Sequence, residues 1–436
     1  MRMNSKLNFV LGSFLAFVFL IFFEGYSDAQ ILPNKTIEFE NTPPPSSPPW
    51  NLVEKINEED NLLKELHLSV STKSLDFYEN RISQSGGKIS ISRKKLTEQN
   101  KDIGLKIMNL DTGEVRIIKV SIRIQKDGVQ LFSPSGYQIE IVERPNGIRW
   151  NRWNTVYKIV SPDKWLVLKN KYPDINETTQ KITVKNKAGK KKTVSKKIYS
   201  VEEFIYSPYS EELHTSELVE AGSQYLRSIV NSAMADLKKN NVPSRTIDGK
   251  RVADISSLLP FFFSYLPILE HTDITEFIED PQKSVERVLV IIGANKSVAF
   301  SKTGSKAGAF GWVQFTPATY KSIRKTYPTA NLISDFETGA ADHLNSMKAA
   351  ILLYDYNLND FVKKHGDQIL SDPRLVEYLA AAYNGRPSRA LLSLKASIVA
   401  DLSDWINALS SKRGGLADET KGYMLKIRYL QEKGLP

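Results

Sequence analysis

One carboxyl group in the C-terminal half follows an apolar segment whose packing would raise its pKa. The run LLPFFFSYLPIL (258–269) is almost entirely apolar, and Glu270 stands directly at its end. Burial against apolar side chains disfavours a charged carboxylate, so it raises the pKa of a carboxyl group. A carboxyl group that keeps its proton near neutral pH can act as a general acid. Glu270 is therefore the leading candidate for acid–base chemistry, against the simpler interpretation of a helix-end carboxylate that faces water.

Two further segments contain residue types suited to binding a polar ligand. The segment GAFGWVQFTPATY (308–320) is dense in small residues and contains Gln314. Glycine permits tight turns and close approach of a ligand to the backbone; no Gly-Lys-Ser/Thr follows, so a phosphate-binding loop is excluded. The segment YLAAAYNG (378–385) ends in Asn-Gly, which is typical of a helix C-terminus. A helix end accounts for Asn384 but not for Tyr383.

These three segments, in this order, resemble the soluble lytic transglycosylase family. The matching motifs are Leu-Pro-x-x-Glu, then Gly-Ala-x-Gly-x-x-Gln, then Ala-Tyr-Asn-Gly, and the resemblance covers about residues 255–390. It implies a goose-type lysozyme-like α-domain that cleaves bacterial peptidoglycan. Carried over position by position, it implies one catalytic residue, Glu270, and five substrate-binding residues: Gly308, Gly311, Gln314, Tyr383 and Asn384.

The resemblance also implies a reaction that needs one carboxyl group. A protonated Glu donates its proton to the glycosidic oxygen between N-acetylmuramic acid and N-acetylglucosamine. It then accepts the proton of the sugar's own 6-hydroxyl, which closes a 1,6-anhydro ring. Ordinary glycosidases need a second carboxylate, and the three segments offer only Asp273. The expected function is peptidoglycan lytic transglycosylase, with a lysozyme-type hydrolase on the same fold as an alternative.

The spacing between the acid and the glycine-rich segment departs from the compact members of the family. Counting back from that segment without gaps leads to Lys296, which cannot serve as the acid. Either Glu270 is the acid and about 274–300 is an insertion, or the chain is a non-catalytic peptidoglycan-binding scaffold. The Leu-Pro-x-x-Glu match favours Glu270, although His271 replaces the usual serine. Glu286 is a third candidate, but we expect it on the polar, solvated face of its helix.

Composition argues against metal and thiol chemistry. The chain has no cysteine and five histidines, with no His-x-x-x-His or His-Glu pair, so we expect no metal and no cofactor. We expect His343 to be a hydrogen-bonded structural residue. Trp312 fits either a core position or a platform for a sugar ring.

Two regions of different periodicity must position these residues. From about 85 to 200, short alternating runs separated by turn signals predict an antiparallel β-rich domain, which we place at 51–206. From about 210 the apolar period becomes helical and predicts an all-α domain at 207–436. The expected fold class is α+β and multidomain, with the lysozyme-like α-domain last. No internal repeat is visible.

The N-terminus predicts export. Basic residues precede a long apolar run and then small residues, a pattern typical of a secretory signal at 1–29. An uncleaved membrane anchor is the alternative, because the run is nearly long enough to span a bilayer. Five prolines among residues 41–50 predict a stiff linker at 30–50. The expected location is the periplasm, cell envelope or extracellular space, with a membrane tether if the signal is retained.

The positive charge lies almost entirely in the first half. Residues 1–206 contain 32 Lys and Arg against 23 Asp and Glu, whereas the remainder is nearly balanced at 27 against 26. The segment 181–197 alone has eight lysines, typical of a solvated hairpin tip or of an electrostatic contact. Besides peptidoglycan strands, this charge favours an anionic wall polymer or a membrane surface as partner. In an exported protein it does not favour nucleic acid.

Overall fold

A computed structural model describes most of the chain beyond the predicted leader and linker. The described residues are 50–58, 60–85, 88–125, 128–143, 149–185, 191–256, 260–305 and 307–434. The predicted signal segment, and the predicted linker except its last residue, lie outside them. All described residues belong to one compact unit, Pro48–Pro436. Among them, no helix combines the length and the apolar character needed to cross a bilayer.

The first half is built on antiparallel strands, as its alternating pattern predicts. The strands are β1 (Val70–Ser85), β2 (Lys88–Asn109), β3 (Val115–Gln125), β4 (Gly128–Phe132), β5 (Gln138–Ile141), β6 (Tyr157–Ser161), β7 (Trp165–Lys185) and β8 (Lys191–Tyr206). The main sheet has the order β4-β3-β2-β7-β8, and β1 also pairs with β2. Strands β5 and β6 pair with each other and cover one face of the sheet, because their apolar side chains join its core.

The alternation of apolar residues explains how this core forms. Every second residue of a strand points to the same face, and the alternate residues Ile103, Leu105 and Ile107 of β2 are fully buried. Ile139 and Ile141 of β5 pack into the same cluster. The sheet therefore has an apolar face under β5 and β6.

Two hairpins, β1–β2 and β7–β8, continue past the sheet as two-stranded ribbons. Strand β7 pairs with β2 only between Trp165 and Lys171. Its pairing with β8 runs on to Lys185↔Lys191. At about 3.3 Å per residue, residues 172–185 extend the β7–β8 ribbon by about 45 Å. The described parts of the lysine-rich segment, 181–185 and 191–197, lie in this antiparallel ribbon, as a hairpin requires. The predicted tip between them, 186–190, lies outside the described residues.

The second half is helical, as predicted. The α-helices of the described residues, including two short ones at the N-terminus, are α1 (Leu52–Asn57), α2 (Asp60–Glu65), α3 (Ser216–Lys239), α4 (Val252–Ser256), α5 (Pro260–His271), α6 (Ile274–Glu279), α7 (Pro281–Asn295), α8 (Pro317–Thr326), α9 (Phe336–Ala341), α10 (His343–His365), α11 (Leu375–Asn384), α12 (Pro387–Val399) and α13 (Asp418–Lys433). The segment after α12 is not helical, although its apolar pattern continues. Asp401 there has a left-handed φ of 50°, which a helix does not accommodate.

Apolar packing joins the two halves. Leu52 and Ile56 of α1 lie in one cluster with Leu166 and Leu168 of β7 and with Val290 of α7. Complete burial of one aliphatic side chain of this size stabilises a fold by about 1.5–3 kcal/mol. The sheet region and the helical region therefore share a core and are not separated by a linker. A second and larger core fills the helical region, and α5 runs through it.

Candidate active site

Helix α5 delivers Glu270 from the middle of the helical core. Phe263, Leu266 and Leu269 are each no more than 1% exposed, as expected for a helix that is apolar on every side. Glu270, in the last turn, is half-buried, so its carboxyl group is set deep among protein atoms while part of the residue reaches the surface. The sequence prediction of an acid at the end of a buried helix thus has the expected geometry.

Helix α13 provides two polar partners at this helix end. The Tyr423 hydroxyl donates to Glu270 Oε1 at 2.9 Å. The Lys426 Nζ donates to the backbone oxygens of Leu269 (3.0 Å) and Thr272 (2.5 Å). Residues three apart lie on one helix face, so a single turn of α13 holds both the carboxyl group and the backbone on either side of it.

The environment of Glu270 favours its protonated form. Burial raises the pKa of Glu270 to about 7, against the smaller lowering effects of the hydrogen bond from Tyr423 and the charge of Lys426. The negative charge of Glu419 adds a further, smaller increase. A pKa near 7 leaves about half of these carboxyl groups protonated at neutral pH, which suits a group that must first donate and then accept a proton.

Tyr383 connects the acid to the glycine-rich segment. Its hydroxyl donates to the backbone oxygen of Val313 at 2.7 Å. The charge of Glu270 contributes to the raised pKa of Tyr383, and Tyr383 in turn contributes to that of Tyr423, so the three groups form one cluster. The structure thus brings Tyr383 and Glu270 together, as the resemblance implies. Burial keeps both phenols neutral, so they act as hydrogen-bond donors.

The glycine-rich segment folds as a tight loop in which the two predicted glycines differ. Both have positive φ, 82° at Gly308 and 81° at Gly311. A Cβ on Gly308 would meet no atom within 4 Å, so this position is open to a ligand. A Cβ on Gly311 would lie 2.0 Å from the backbone oxygen of Ala340, so the absence of a side chain there serves packing.

Gln314 braces this loop. Its Nε2 donates to the backbone oxygens of Thr303 (3.1 Å) and Gly311 (2.6 Å), and its own φ is 51°. These hydrogen bonds give Gln314 a structural role within the loop, while a substrate contact of Gln314 stays a prediction. Asn384 is half-buried at the last position of α11, so the predicted helix end is confirmed.

The aromatic and histidine residues beside the loop are structural. Trp312 is fully buried, its Nε1 donates to Ser346 Oγ at 2.8 Å, and its ring stacks on His343 with centroids 3.8 Å apart. Trp312 is thus a core residue and not a sugar platform. His343 Nε2 lies 2.8 Å from the Ala299 oxygen, which confirms its structural role.

His271, next to the acid, ties its helix to the loop. Its ring stacks on Phe300 at 3.8 Å between centroids, and it bonds to the backbone of Trp312. Burial lowers the pKa of His271 to about 3, so the imidazole is neutral. A neutral ring here supplies a bridging hydrogen bond without adding a charge beside Glu270.

The other candidates for an acid or base lie in different surroundings. Lys296 ends α7 with φ 47°, is exposed, and acts electrostatically on Lys169 of β7. Glu286 is only partly on the solvated face that we expected, because its Oε2 lies 2.8 Å from His214 Nε2. The exposed Asp273 accepts hydrogen bonds from the first backbone amides of α6 as its N-cap.

Two residues of the cluster escaped the sequence interpretation. Tyr423 and Lys426 are about 150 residues from Glu270 in the chain, and no motif marks them. One signal was present, since Tyr423, Lys426, Ile427 and Leu430 repeat with helical spacing and all prove to be buried. A lysine within an otherwise apolar stripe indicates a buried partner.

Comparisons with family models, with curated proteins and with solved structures give no match for this chain. Within the described ranges, no group of three or more His, Asp or Glu side chains is arranged to hold a metal ion. The site is therefore characterised by its own geometry: a partly accessible carboxyl group of raised pKa, two neutral phenols and a braced loop with one open glycine.

Proposed function

We propose that this protein is an exported lytic transglycosylase, with a goose-type lysozyme-like helical domain that cleaves peptidoglycan strands. One observation carries the proposal: Glu270, at the end of a buried helix, has a pKa of about 7 and accepts a hydrogen bond from Tyr423 beside Tyr383. The order of the three sequence motifs supports the same reaction. The bond cleaved is the β-1,4 linkage from N-acetylmuramic acid to N-acetylglucosamine.

In the first step, protonated Glu270 donates its proton to the glycosidic oxygen. The carboxyl group is then a carboxylate, which Tyr423 stabilises through its hydrogen bond to Oε1 and Lys426 through its positive charge. These two partners offset part of the cost of forming a charge in a buried place. The apolar residues of α5 on the other side keep the next proton transfer favourable, because they disfavour the carboxylate.

In the second step, the carboxylate accepts the proton of the 6-hydroxyl of the same muramic acid residue. The hydroxyl oxygen attacks the anomeric carbon and closes the 1,6-anhydro ring, so no water is consumed. One carboxyl group is sufficient for both steps, in contrast to hydrolysis with its pair of carboxylates. Gly308, Gln314, Tyr383 and Asn384 would line the glycan groove, with Gly308 giving the sugar access to the backbone. Gly311 would contribute through loop packing.

A lysozyme-type hydrolase is a second candidate, supported by Glu419. This exposed residue, in the first turn of α13, acts on the pKa of Glu270 through its negative charge. It is the carboxylate that could activate a water molecule. A non-catalytic scaffold is the third candidate, motivated by Lys296. The charge of Lys296 acts on Lys169 of β7 and is not among the groups that shift the pKa of Glu270.

Mass spectrometry of the products from purified peptidoglycan sacculi separates these candidates. Three proteins are compared: wild type, Glu270→Gln, and Glu286→Gln as a matched control on α7. Wild type and control should release muropeptides with 1,6-anhydro ends, and Glu270→Gln should lower this rate by about 10²–10⁴-fold, the usual contribution of a general acid. A Glu270→Gln protein with full activity would overturn the role of Glu270.

The chemical form of the ends of the released muropeptides distinguishes a transglycosylase from a hydrolase. Reducing ends from the wild type, lost in Glu419→Gln, would identify a hydrolase in place of a transglycosylase. Binding of sacculi without any released product would identify a scaffold. Export is tested in the source cells by the N-terminus of the mature protein, which should begin at Gln30 if the signal is removed.

A further inference from the structure

The outer part of the β7–β8 ribbon concentrates positive charge. Residues 178–198 contain eight lysines and no Asp or Glu, whereas the acidic residues of the ribbon lie nearer the sheet. The strand register pairs Lys185 with Lys191, Val184 with Lys192 and Gln180 with Lys196. Beyond Lys171, the described pairings of β7 are with β8 alone. The lysines within the described strands therefore belong to a two-stranded ribbon and not to a broad sheet.

This arrangement costs stability unless something neutralises it. Like charges directly opposite each other on paired strands are destabilising, and a two-stranded ribbon is at best marginally stable in water. Arg and Lys side chains that neutralise phosphates release counterions, and this release drives binding to phosphate polymers. A polyanion would therefore stabilise the ribbon that it binds.

The root of the ribbon adjoins the loop of the candidate site. Lys302, just before the glycine-rich segment, forms an ion pair with Glu202 of β8 and lies over the ring of Phe204 at 5.2 Å. The next residue, Thr303, accepts the hydrogen bond from Gln314. The lysines begin at Lys181, seven residues beyond the Asp174↔Glu202 pair, so a polymer held on them lies about 20 Å or more along the ribbon from this loop.

We propose that the β7–β8 ribbon is a docking surface for a phosphate-bearing wall polymer, a linear chain with repeating phosphodiester groups. Two features favour a flexible polymer over a lipid bilayer. Residues 178–198 contain no Trp, Tyr or Phe, the side chains typical of membrane interfaces. In the register, residues 181, 185, 191 and 197 alternate with 192 and 196, so lysines occupy both sets of strand positions. A chain can follow both faces of a ribbon, whereas a planar surface meets one.

The test measures binding of the full mature chain to inorganic polyphosphate at several salt concentrations. The ribbon variant replaces four lysines of the hairpin with Gln: Lys185, Lys191, Lys192 and Lys196. The control variant has the same net charge and replaces four exposed lysines of the helical region: Lys321, Lys325, Lys395 and Lys412. Each phosphate contact contributes about 0.7–0.9 to the slope of log K against log salt. The ribbon variant should lose about three units of this slope and bind at least tenfold more weakly, at a salt concentration near that of the cell.

Two further proteins and one further probe make the result decisive. The corresponding quadruple Lys→Arg variant should bind like the wild type, because it keeps every charge. If the quadruple Gln variant fails to fold, as judged by circular dichroism, the double variant of Lys191 and Lys192 should lose about half as much slope. Equal weakening in the control variant would overturn the proposal, since net charge alone would then explain binding.

Vesicles of phosphatidylglycerol and phosphatidylcholine test the lipid source. Wild-type binding to these vesicles without binding to polyphosphate would also overturn the proposal. Release of anhydro-muropeptides from polymer-free glycan strands should be the same in wild type and ribbon variant. The docking proposal can therefore fail while the proposed reaction stands, and the proposed reaction can fail while the docking proposal stands.

Discussion

The sheet region and the helical region both bury charged side chains, but they surround them differently. In the sheet, Lys106 is fully buried, and its Nζ donates to the backbone oxygens of Ile56 and Glu58 and forms an ion pair with Asp60. Lys171 is 2% exposed, and its Nζ donates to the backbone oxygens of Lys64 in α2 and of Leu66 just after it, at 2.6 and 2.7 Å. These ammonium groups are closed off from water, and protein acceptors replace their hydration.

In the helical region, Glu270 is only partly enclosed. Its hydrogen bond from Tyr423 and the nearby charge of Lys426 do not offset the loss of water, so its pKa rises to about 7. The difference between the two regions shows what a buried charge contributes. The buried lysines of the sheet have hydrogen-bond acceptors that replace their lost hydration, and they hold α1 and α2 on the sheet. The carboxyl group of Glu270 has too few partners to offset its loss of hydration, so it is suited to exchange a proton.

The largest expected effect follows from removing Lys106, the buried cation that binds Asp60 and two backbone oxygens in the sheet region. Lys106→Met removes the cation and leaves Asp60 and two backbone oxygens without this donor. Removal of one member of a buried pair costs about 3–5 kcal/mol, so we expect this loss in the free energy of unfolding, measured in urea. Lys164→Met, at an exposed surface pair with Asp111, should leave the free energy of unfolding nearly unchanged, because water already solvates both groups. A loss below about 1 kcal/mol in Lys106→Met would mean that the sheet does not depend on this cluster.

The second effect compares the two glycines of the loop. Gly311→Ala combines an unfavourable φ with a contact of 2.0 Å to the Ala340 oxygen, so we expect it to destabilise the protein by about 2–3 kcal/mol. Gly308→Ala has nearly the same φ and open space, and should cost only about 1 kcal/mol. Thermal unfolding of the two variants checks the difference. Equal losses would show that the packing of Gly311 on α9 is unimportant.

Local pattern was sufficient for much of the fold. Alternation in segments such as 115–124 predicted the sheet, and the helical period after residue 210 predicted the helices, because each pattern follows from burying one face. The lengths of β7 and β8 were not predictable. Beyond Lys171, the described pairings of β7 are with β8 alone, so the ribbon portion depends on cross-strand hydrogen bonds. The end of α12 was not predictable in this way, because the apolar spacing continues past Val399 and does not show that Asp401 takes a left-handed conformation.

The candidate site was predictable only where residues close in the chain define it. Glu270, and the end of α11 at Asn384, follow from local composition. Tyr423 and Lys426 reach Glu270 through the packing of α13 on α5. Contacts between residues so far apart in the chain produce no regular spacing in the sequence, so the sequence does not predict them. The assignment of Trp312 to the core likewise depended on which neighbour its indole meets, which only the packed structure shows.

The third effect tests how the carboxyl group of Glu270 is tuned. The hydrogen bond from Tyr423 lowers the pKa of Glu270 more than the charge of Lys426 does, so that pKa should rise in Tyr423→Phe. The first step needs the protonated acid, and activity falls as pH rises through this pKa. The basic limb of the pH–rate profile should therefore move up by about one pH unit. Tyr429→Phe, further along α13, serves as the control. A movement to lower pH would contradict the hydrogen-bond role assigned to Tyr423.

The smallest effect concerns the positive charge near the carboxyl group. Lys426→Met removes a charge that lowers the pKa of Glu270, so that pKa should again rise, and the basic limb should move up by about half a pH unit. Lys421→Met on the same helix is the matched control and should leave the profile in place. A general loss of rate without this movement would show that Lys426 has only a structural role.

The central claim is that the helical core keeps about half of the Glu270 carboxyl groups protonated at neutral pH. The most direct measurement is a pH titration by ¹³C NMR of protein labelled at the glutamate carboxyl carbons. Subtraction of the Glu270→Gln spectrum identifies the Glu270 signal, and Glu286→Gln controls for the substitution itself. The geometry predicts that this carboxyl group titrates near pH 7. Titration near the ordinary value of about 4.3 would contradict the account, because Glu270 would then carry no proton to donate.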